Sequence, residues 1–160
     1  MHLRRLITAT LASSAIIFGV SILVGQGRAE AGATPSFVCS AADNQFISTV
    51  SSNMLQLSYW SDALVHHDVA PGVVVKQADS EARQVHATRP IDRTLLASRD
   101  VIGSMFLEYS KAVALTARGR DAKIHMDNAW RLAHASHDLL AGAKSGLGAQ
   151  GCDVTPLLGA

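Results

Sequence analysis

The clearest indication of the fold lies in residues 40–67, SAADNQFISTVSSNMLQLSYWSDALVHH. It opens with Ser40, whose side chain can accept a hydrogen bond from an unpaired N–H of a first helical turn, and with Asp43, which complements the helix dipole. Apolar side chains then recur at intervals of three and four residues, at positions 47, 50, 54, 57 and 64. This spacing predicts an amphipathic helix over residues 41–67.

Three further segments show the same helical period, at residues 73–88, 91–117 and 121–144. Proline or glycine separates each segment from the next, and none alternates apolar and polar residues as a half-buried strand does. Four amphipathic helices with short connections favour an all-α fold, an up-down four-helix bundle. The glycines after residue 144 predict a flexible C-terminal tail.

Length and composition limit the classes of protein to consider. A chain of 160 residues suffices for one domain, placed at residues 32–160. The 14 Lys+Arg against 13 Asp+Glu give a formal net charge of +1, which excludes the broad basic surface of a nucleic-acid-binding protein. Apolar residues make up 48% and charged residues 17%, so the chain as a whole is not of the disordered type.

The first 31 residues have the three parts of an export signal. Arg4 and Arg5 precede an uncharged, mostly apolar run over residues 6–25. The small residues that follow fit cleavage after Ala31 or Ala33, and Ala31 is taken as the boundary. The alternative is an uncleaved membrane anchor, because this run is just long enough to span a bilayer. The paired arginines leave general and twin-arginine export both open. Either way, we expect the rest of the chain to be secreted or held in the cell envelope.

The two cysteines lie near opposite ends of the mature domain, at Cys39 and Cys152. An even number of cysteines in an exported chain predicts a disulfide bond between them. Two reduced thiols are the alternative. A c-type haem in its usual form is excluded, because the sequence contains no C-x-x-C-H motif.

Aromatic and histidine side chains gather on the outer side of the first predicted helix. Tyr59 and His66 are seven residues apart, as are Trp60 and His67, so each pair shares a face away from the apolar stripe. A histidine at a helix C-terminus also has a structural explanation, since it interacts favourably with the helix dipole. The functional interpretations are a contact with an envelope protein or a second copy of the chain, or a haem site with Tyr and His as axial ligands.

The fourth predicted helix carries His134, His137 and Asp138. Histidines three residues apart beside a carboxylate have a spacing that can hold a divalent metal ion. The alternative is a histidine at the edge of the core next to a solvated His–Asp pair.

Three methionines, Met54, Met105 and Met126, are expected to face the interior at similar heights, opposite alanines. Methionine filling irregular gaps is one explanation. The other is a cavity for an apolar small molecule or a b-type haem, with Met54 or His137 as a ligand. Tyr109 also points inward, and its hydroxyl needs a hydrogen-bond partner.

Catalytic motifs are missing from the sequence, which has no G-x-S-x-G, no glycine-rich phosphate loop and no H-E-x-x-H. The acidic residues are not paired in a way that suggests acid–base catalysis. We therefore expect a non-enzymatic protein.

In layout, the chain resembles small exported helical proteins of actinobacteria, with a long signal, a cysteine soon after it and a second cysteine near the end. Some proteins of that kind scavenge haem through Tyr and His on a helical scaffold, so the resemblance makes Tyr59, His66 and His67 worth testing. No residue role is carried over from it. Three functions follow as expectations: carriage of haem or an apolar small molecule, a protein–protein interaction, and divalent-metal binding.

Overall fold

The computed structural model describes residues 38–159, which form four long helices and one short one. Their bounds are α1 Ala41–Val65, α2 Pro71–Ala87, α3 Arg93–Thr116, α4 Lys123–Ala149 and α5 Thr155–Leu158. This range contains no β-strand, so the predicted all-α class and the four long helices are confirmed. The predicted signal peptide over residues 1–31, and the alternative anchor over residues 6–25, lie outside the described residues.

The helix starts follow local capping rules. Ser40 caps α1 by accepting a hydrogen bond from the Asp43 N–H at 3.0 Å, as the sequence predicts. Asp92 caps α3 by accepting from the backbone N–H groups of Thr94 and Leu95, so that helix begins at Arg93 rather than at residue 91. Helix α2 begins two residues earlier than predicted, because Pro71 occupies the first helical turn, where its missing N–H costs nothing.

Three helices end with a residue in the left-handed backbone conformation. These residues are His67 after α1, Gly119 after α3 and Gly151 after α4, with φ of 62°, 65° and 80°. In each case the next N–H donates to a carbonyl five residues back, from Asp68 to Ala63, from Arg120 to Leu115 and from Cys152 to Leu147. This is the Schellman motif, and it ends α1 at Val65, two residues short of the prediction.

The C-terminal region corrects the prediction of a flexible tail after residue 144. Helix α4 continues through Gly146 and Gly148 to Ala149, because the left-handed turn that ends it occurs only at Gly151. Leu147 in this extension is buried. The chain then forms α5, whose Leu157 is also buried, so the last residues are part of the core.

Helix α3 is the centre of the bundle and packs against both α2 and α4, while α1 packs mainly against α2. Within residues 38–159, no Cα atom of α1 lies within 8 Å of a Cα atom of α4. The short helix α5 contacts both of them instead. The largest completely buried side chains come from α1, α3 and α4: Phe46, Phe106, Leu95, Ile102 and Leu140.

Two links fix the start of α1. The predicted disulfide is confirmed: Cys39 is bonded to Cys152, with the two Cα atoms 4.7 Å apart and both residues buried. Asp43 accepts hydrogen bonds from the backbone N–H groups of Ile91 and Asp92 at 2.7 and 3.1 Å. Burial raises the pKa of Asp43, but its hydrogen bonds outweigh burial and hold that pKa below its usual value.

None of the described helices is both long and apolar enough to cross a bilayer.

Candidate ligand-binding groove

An open groove of about 360 Å³ runs between α1 and α4, with α3 as its floor. Its walls are mostly apolar, and they come from three different helices. The ten lining residues are Met54, Leu57, Ser58 and Ser61 of α1, Met105 and Tyr109 of α3, and Met126, Ala129, Trp130 and Ala133 of α4. The sequence left two explanations for the three methionines, the filling of irregular gaps or a cavity for a ligand. This groove corresponds to the second.

Residue size and helix arrangement explain why the groove stays open. At one end of the bundle, α5 contacts both α1 and α4 and occupies the space near the disulfide. Farther along, no described element fills that space, and two of the four α4 residues that line the groove are the small Ala129 and Ala133. All three methionines after Met1 line the groove, and their flexible thioethers suit a surface that adapts to an occupant.

A wider depression of about 790 Å³ lies along the outer side of α1, but its chemistry is different. Five of its nine lining residues are Asn, Gln or Ser: Asn44, Gln45, Ser48, Ser51 and Ser52. It is also the more open of the two, so it would bury less of an occupant. The groove between α1 and α4 is therefore the better candidate for a ligand site.

One polar feature of the groove is a pair of hydroxyl groups that are bonded to each other. Tyr109 Oη and Ser61 Oγ lie 2.6 Å apart, so α3 and α1 are joined across the floor of the groove. The prediction that Tyr109 points inward and takes a hydrogen-bond partner is thus confirmed. Its aromatic ring packs against the core, which fixes the position of the hydroxyl.

A charged network joins α3 to α4 next to the groove but does not line it. Glu108 accepts from Lys111 at 2.6 Å through one carboxylate oxygen, and the other lies 2.8 Å from His125 Nδ1 and 3.3 Å from Asn128 Nδ2. The hydrogen bonds from Lys111 and His125 lower the pKa of Glu108 to about 2. Sequence patterns do not reveal this network, because His125 and Asn128 of α4 lie 17 and 20 residues from Glu108 of α3.

The structure separates the residues that the sequence offered as haem ligands. Met54 lines the groove, but Tyr59, His66, His67 and His137 do not. Tyr59 is 66% exposed and makes an edge-to-face contact with Trp60, with ring centroids 5.2 Å apart. His137 is also exposed, because the buried face of α4 passes through Ser136 and Leu140 instead.

On the outer face of α1, no single cluster contains all four predicted residues, which are Tyr59, Trp60, His66 and His67. His66 lies 3.5 Å from Asp62 of its own helix, and His67 provides the left-handed turn that ends α1. His67 therefore has a structural role in that turn. An interaction surface at Tyr59, Trp60, His66 and His67 stays a prediction.

The three predicted metal ligands on α4 do not converge. His134 stacks on Trp130, and His137 Nδ1 lies 3.4 Å from Asp138 Oδ1. Within residues 38–159, one set of three His, Cys, Asp or Glu side chains has ligand atoms within 4.8 Å of one another, namely Cys39, Asp43 and Cys152. Its two sulfurs are bonded to each other, so they are not thiolate ligands. The metal-binding role of His134, His137 and Asp138 stays a prediction.

A buried carboxyl group lies outside the groove, and it was not among the residues predicted from the sequence. Glu81 of α2 is completely buried, and within the described residues its Oε2 has no hydrogen-bond partner. Its Oε1 accepts from Gln77 at 3.1 Å. Burial raises the pKa of Glu81 to about 7. A signal was available, because residue 81 continues the buried row of Val74, Ala78 and Val85 at helical spacing.

No family model, curated protein or solved structure matches this chain. Function must therefore be argued from the groove and its residues.

Proposed function

We propose that this chain is an exported, non-enzymatic binding protein that carries a small apolar molecule in the groove between α1, α3 and α4. The observation that carries the proposal is the groove's wall, which combines three methionines, Leu57 and Trp130 with one fixed hydroxyl pair. Small-molecule sites typically are concave, mostly apolar and supplied with a few fixed polar groups.

The groove's size sets the class of ligand and the expected affinity. Its volume of about 360 Å³ lies at the lower end of the range for small-molecule sites. An occupant that buries about 200 Å² of apolar surface gains roughly 5 kcal/mol from the hydrophobic effect. The loss of translational and rotational freedom offsets much of that gain, so we expect affinities in the micromolar range or weaker.

Haem is the less favoured occupant. A haem iron in a protein is usually held by His, Cys, Met or Tyr. Among the ten residues that line the groove, the Met and Tyr side chains are of this kind, and the Tyr109 hydroxyl is already bonded to Ser61. An apolar molecule needs no such ligand, so the groove suits it better.

Export and the up-down helix order belong to the same proposal. Export is supported by the signal-like sequence of residues 1–31 and by the disulfide, a bond that persists in oxidising compartments. The up-down order is supported by connections of five or six residues between successive long helices. The groove agrees with it, since its residues come from the C-terminal half of α1 and the N-terminal half of α4.

The test is a titration of the oxidised protein, residues 32–160, with the neutral fluorescent probe N-phenyl-1-naphthylamine. We expect saturable binding at about one equivalent. Ala133→Phe places a ring in the groove and should weaken probe binding about tenfold or more, because the ring occupies the ligand's space. A parallel titration with haemin, followed by its absorbance spectrum, compares the two occupants directly.

Ala135→Phe is the matched control, because Ala135 lies on the same helix but is exposed and outside the groove. It should leave probe binding within about twofold of the unmodified protein, since surface substitutions away from a site usually have small effects. Unchanged binding in Ala133→Phe, or probe fluorescence that never saturates, would contradict the proposal.

A further inference from the structure

The groove's polar groups select among apolar ligands. None of the ten lining side chains carries a charge, so the site has no cation to pair with a carboxylate or phosphate and no carboxylate to pair with an amine. A charged group that leaves water without such a partner incurs a large desolvation cost. The lining therefore favours an uncharged occupant.

The hydroxyl pair has one hydrogen left to donate. Ser and Tyr hydroxyls each carry one hydrogen, and the bond between Ser61 and Tyr109 uses one of the two. Neither hydroxyl has a second hydrogen-bond partner in residues 38–159. The remaining O–H lies at the floor of a groove whose other walls are mostly apolar.

We infer that the ligand is an uncharged apolar molecule bearing a hydrogen-bond-accepting oxygen, such as a ketone, an ether or an ester, which accepts from the Ser61–Tyr109 pair. The inference rests on the proposed function and adds the chemical class of the ligand. An oxygen placed there replaces a bond to water, whereas a purely apolar occupant leaves the O–H covered and without a partner. The pair thus distinguishes two ligands of the same shape.

The experiment measures displacement of N-phenyl-1-naphthylamine by three small competitors. Acetophenone carries the carbonyl oxygen, 2-phenylpropene replaces that oxygen with a CH₂ group of similar shape, and benzoate carries a charge. We expect acetophenone to compete about fivefold better than 2-phenylpropene, the ratio that one net hydrogen bond provides. Benzoate should compete less well than acetophenone.

The double variant Ser61→Ala/Tyr109→Phe removes both hydroxyls and keeps the apolar lining. The ratio of acetophenone to 2-phenylpropene should then fall to about one. This ratio is insensitive to a general loss of affinity, since both competitors are measured on the same protein. Ser58→Ala is the matched control, because Ser58 lines the groove but is not part of the pair, and here the ratio should persist.

The outcomes separate the two claims. If the probe binds but acetophenone and 2-phenylpropene compete equally, or benzoate competes as well as acetophenone, the inference is overturned and the proposed function stands. A ratio that collapses in Ser58→Ala and persists in the double variant also overturns the inference. If no probe or competitor binds, both are overturned together.

Discussion

At the scale of single residues, His67 shows how a side chain that looks functional in the sequence can serve the backbone. It has a φ of 62°, in the region where α3 and α4 place Gly119 and Gly151. A residue with a Cβ atom is strained there, although histidine tolerates this conformation better than most residues. The imidazole of His67 is exposed, and the role of the residue is to form the left-handed turn after α1. Glycine suits that backbone conformation better.

His67→Gly should stabilise the protein by about 0.5–1 kcal/mol, because relief of strain in the turn exceeds the entropy that glycine adds to the unfolded chain. Urea unfolding measures the difference. The control is His66→Gly, since His66 has a negative φ of −81° and the same change there should destabilise. A loss of stability in His67→Gly would show that the imidazole makes a contribution beyond the turn.

At the scale of elements, a polar contact accompanies the apolar packing of α1 against α2. Asn53 of α1 donates to the backbone oxygen of Glu81 at 3.3 Å, and Gln56 of α1 accepts from Gln77 of α2 at 2.8 Å. Gln77 also donates to the buried Glu81 carboxyl. The protonation of the Glu81 carboxyl is thus coupled to the packing of α2 against α1.

We expect stability to fall as pH rises through the pKa of Glu81, which burial raises from 4.5 to about 7. Between these values the folded protein keeps a proton that the unfolded chain has released, so the free energy of unfolding decreases with pH. The loss should reach up to about 3 kcal/mol by pH 8. Glu81→Gln, which carries no titrating proton, should remove this part of the slope between pH 5 and 8 in urea unfolding.

Asp138→Asn is the control for that series, because Asp138 is an exposed acid on α4. It should retain the full pH slope of the unmodified protein. If Glu81→Gln has the same slope as the unmodified protein, the Glu81 carboxyl is not the group that titrates.

At the scale of the whole molecule, the disulfide and α5 connect α1 to the C-terminal end of α4. The bond joins the start of α1 to the segment after α4, across 113 residues of sequence. Helix α5 contacts both helices at that end, and in residues 38–159 no Cα atom of α1 lies within 8 Å of a Cα atom of α4. The groove is the space left between them where α5 does not reach.

Replacing both cysteines, in Cys39→Ser/Cys152→Ser, should destabilise the protein by about 4–5 kcal/mol, because the unfolded chain regains the entropy of a long open loop. Urea unfolding of the variant and of the oxidised protein gives this difference. Equal unfolding midpoints would show that the bond adds nothing to stability.

Much of this architecture follows from local rules that can be read in the sequence. The apolar spacing along residues 41–64 predicts α1, and Ser40 with Asp43 predicts its start. The pairing of Cys39 with Cys152 was the one pairing that two cysteines allow. Two errors, at residues 66–67 and 145–149, arose where a helix end depends on which residue adopts the left-handed conformation. Glycine alone does not reveal that position, since it also occurs inside α4.

The helices, the disulfide and the candidate side chains can be predicted from the residues alone, because each depends on spacing within one segment or on a simple count of cysteines. Which of the candidates meet depends on the folded arrangement of the helices. That arrangement places Met54, Met105 and Met126 in one groove and leaves His134 and His137 exposed on the surface of α4. The physical reason is that the rotation of each helix about its axis, and the gap between α1 and α4, result from packing among all the helices.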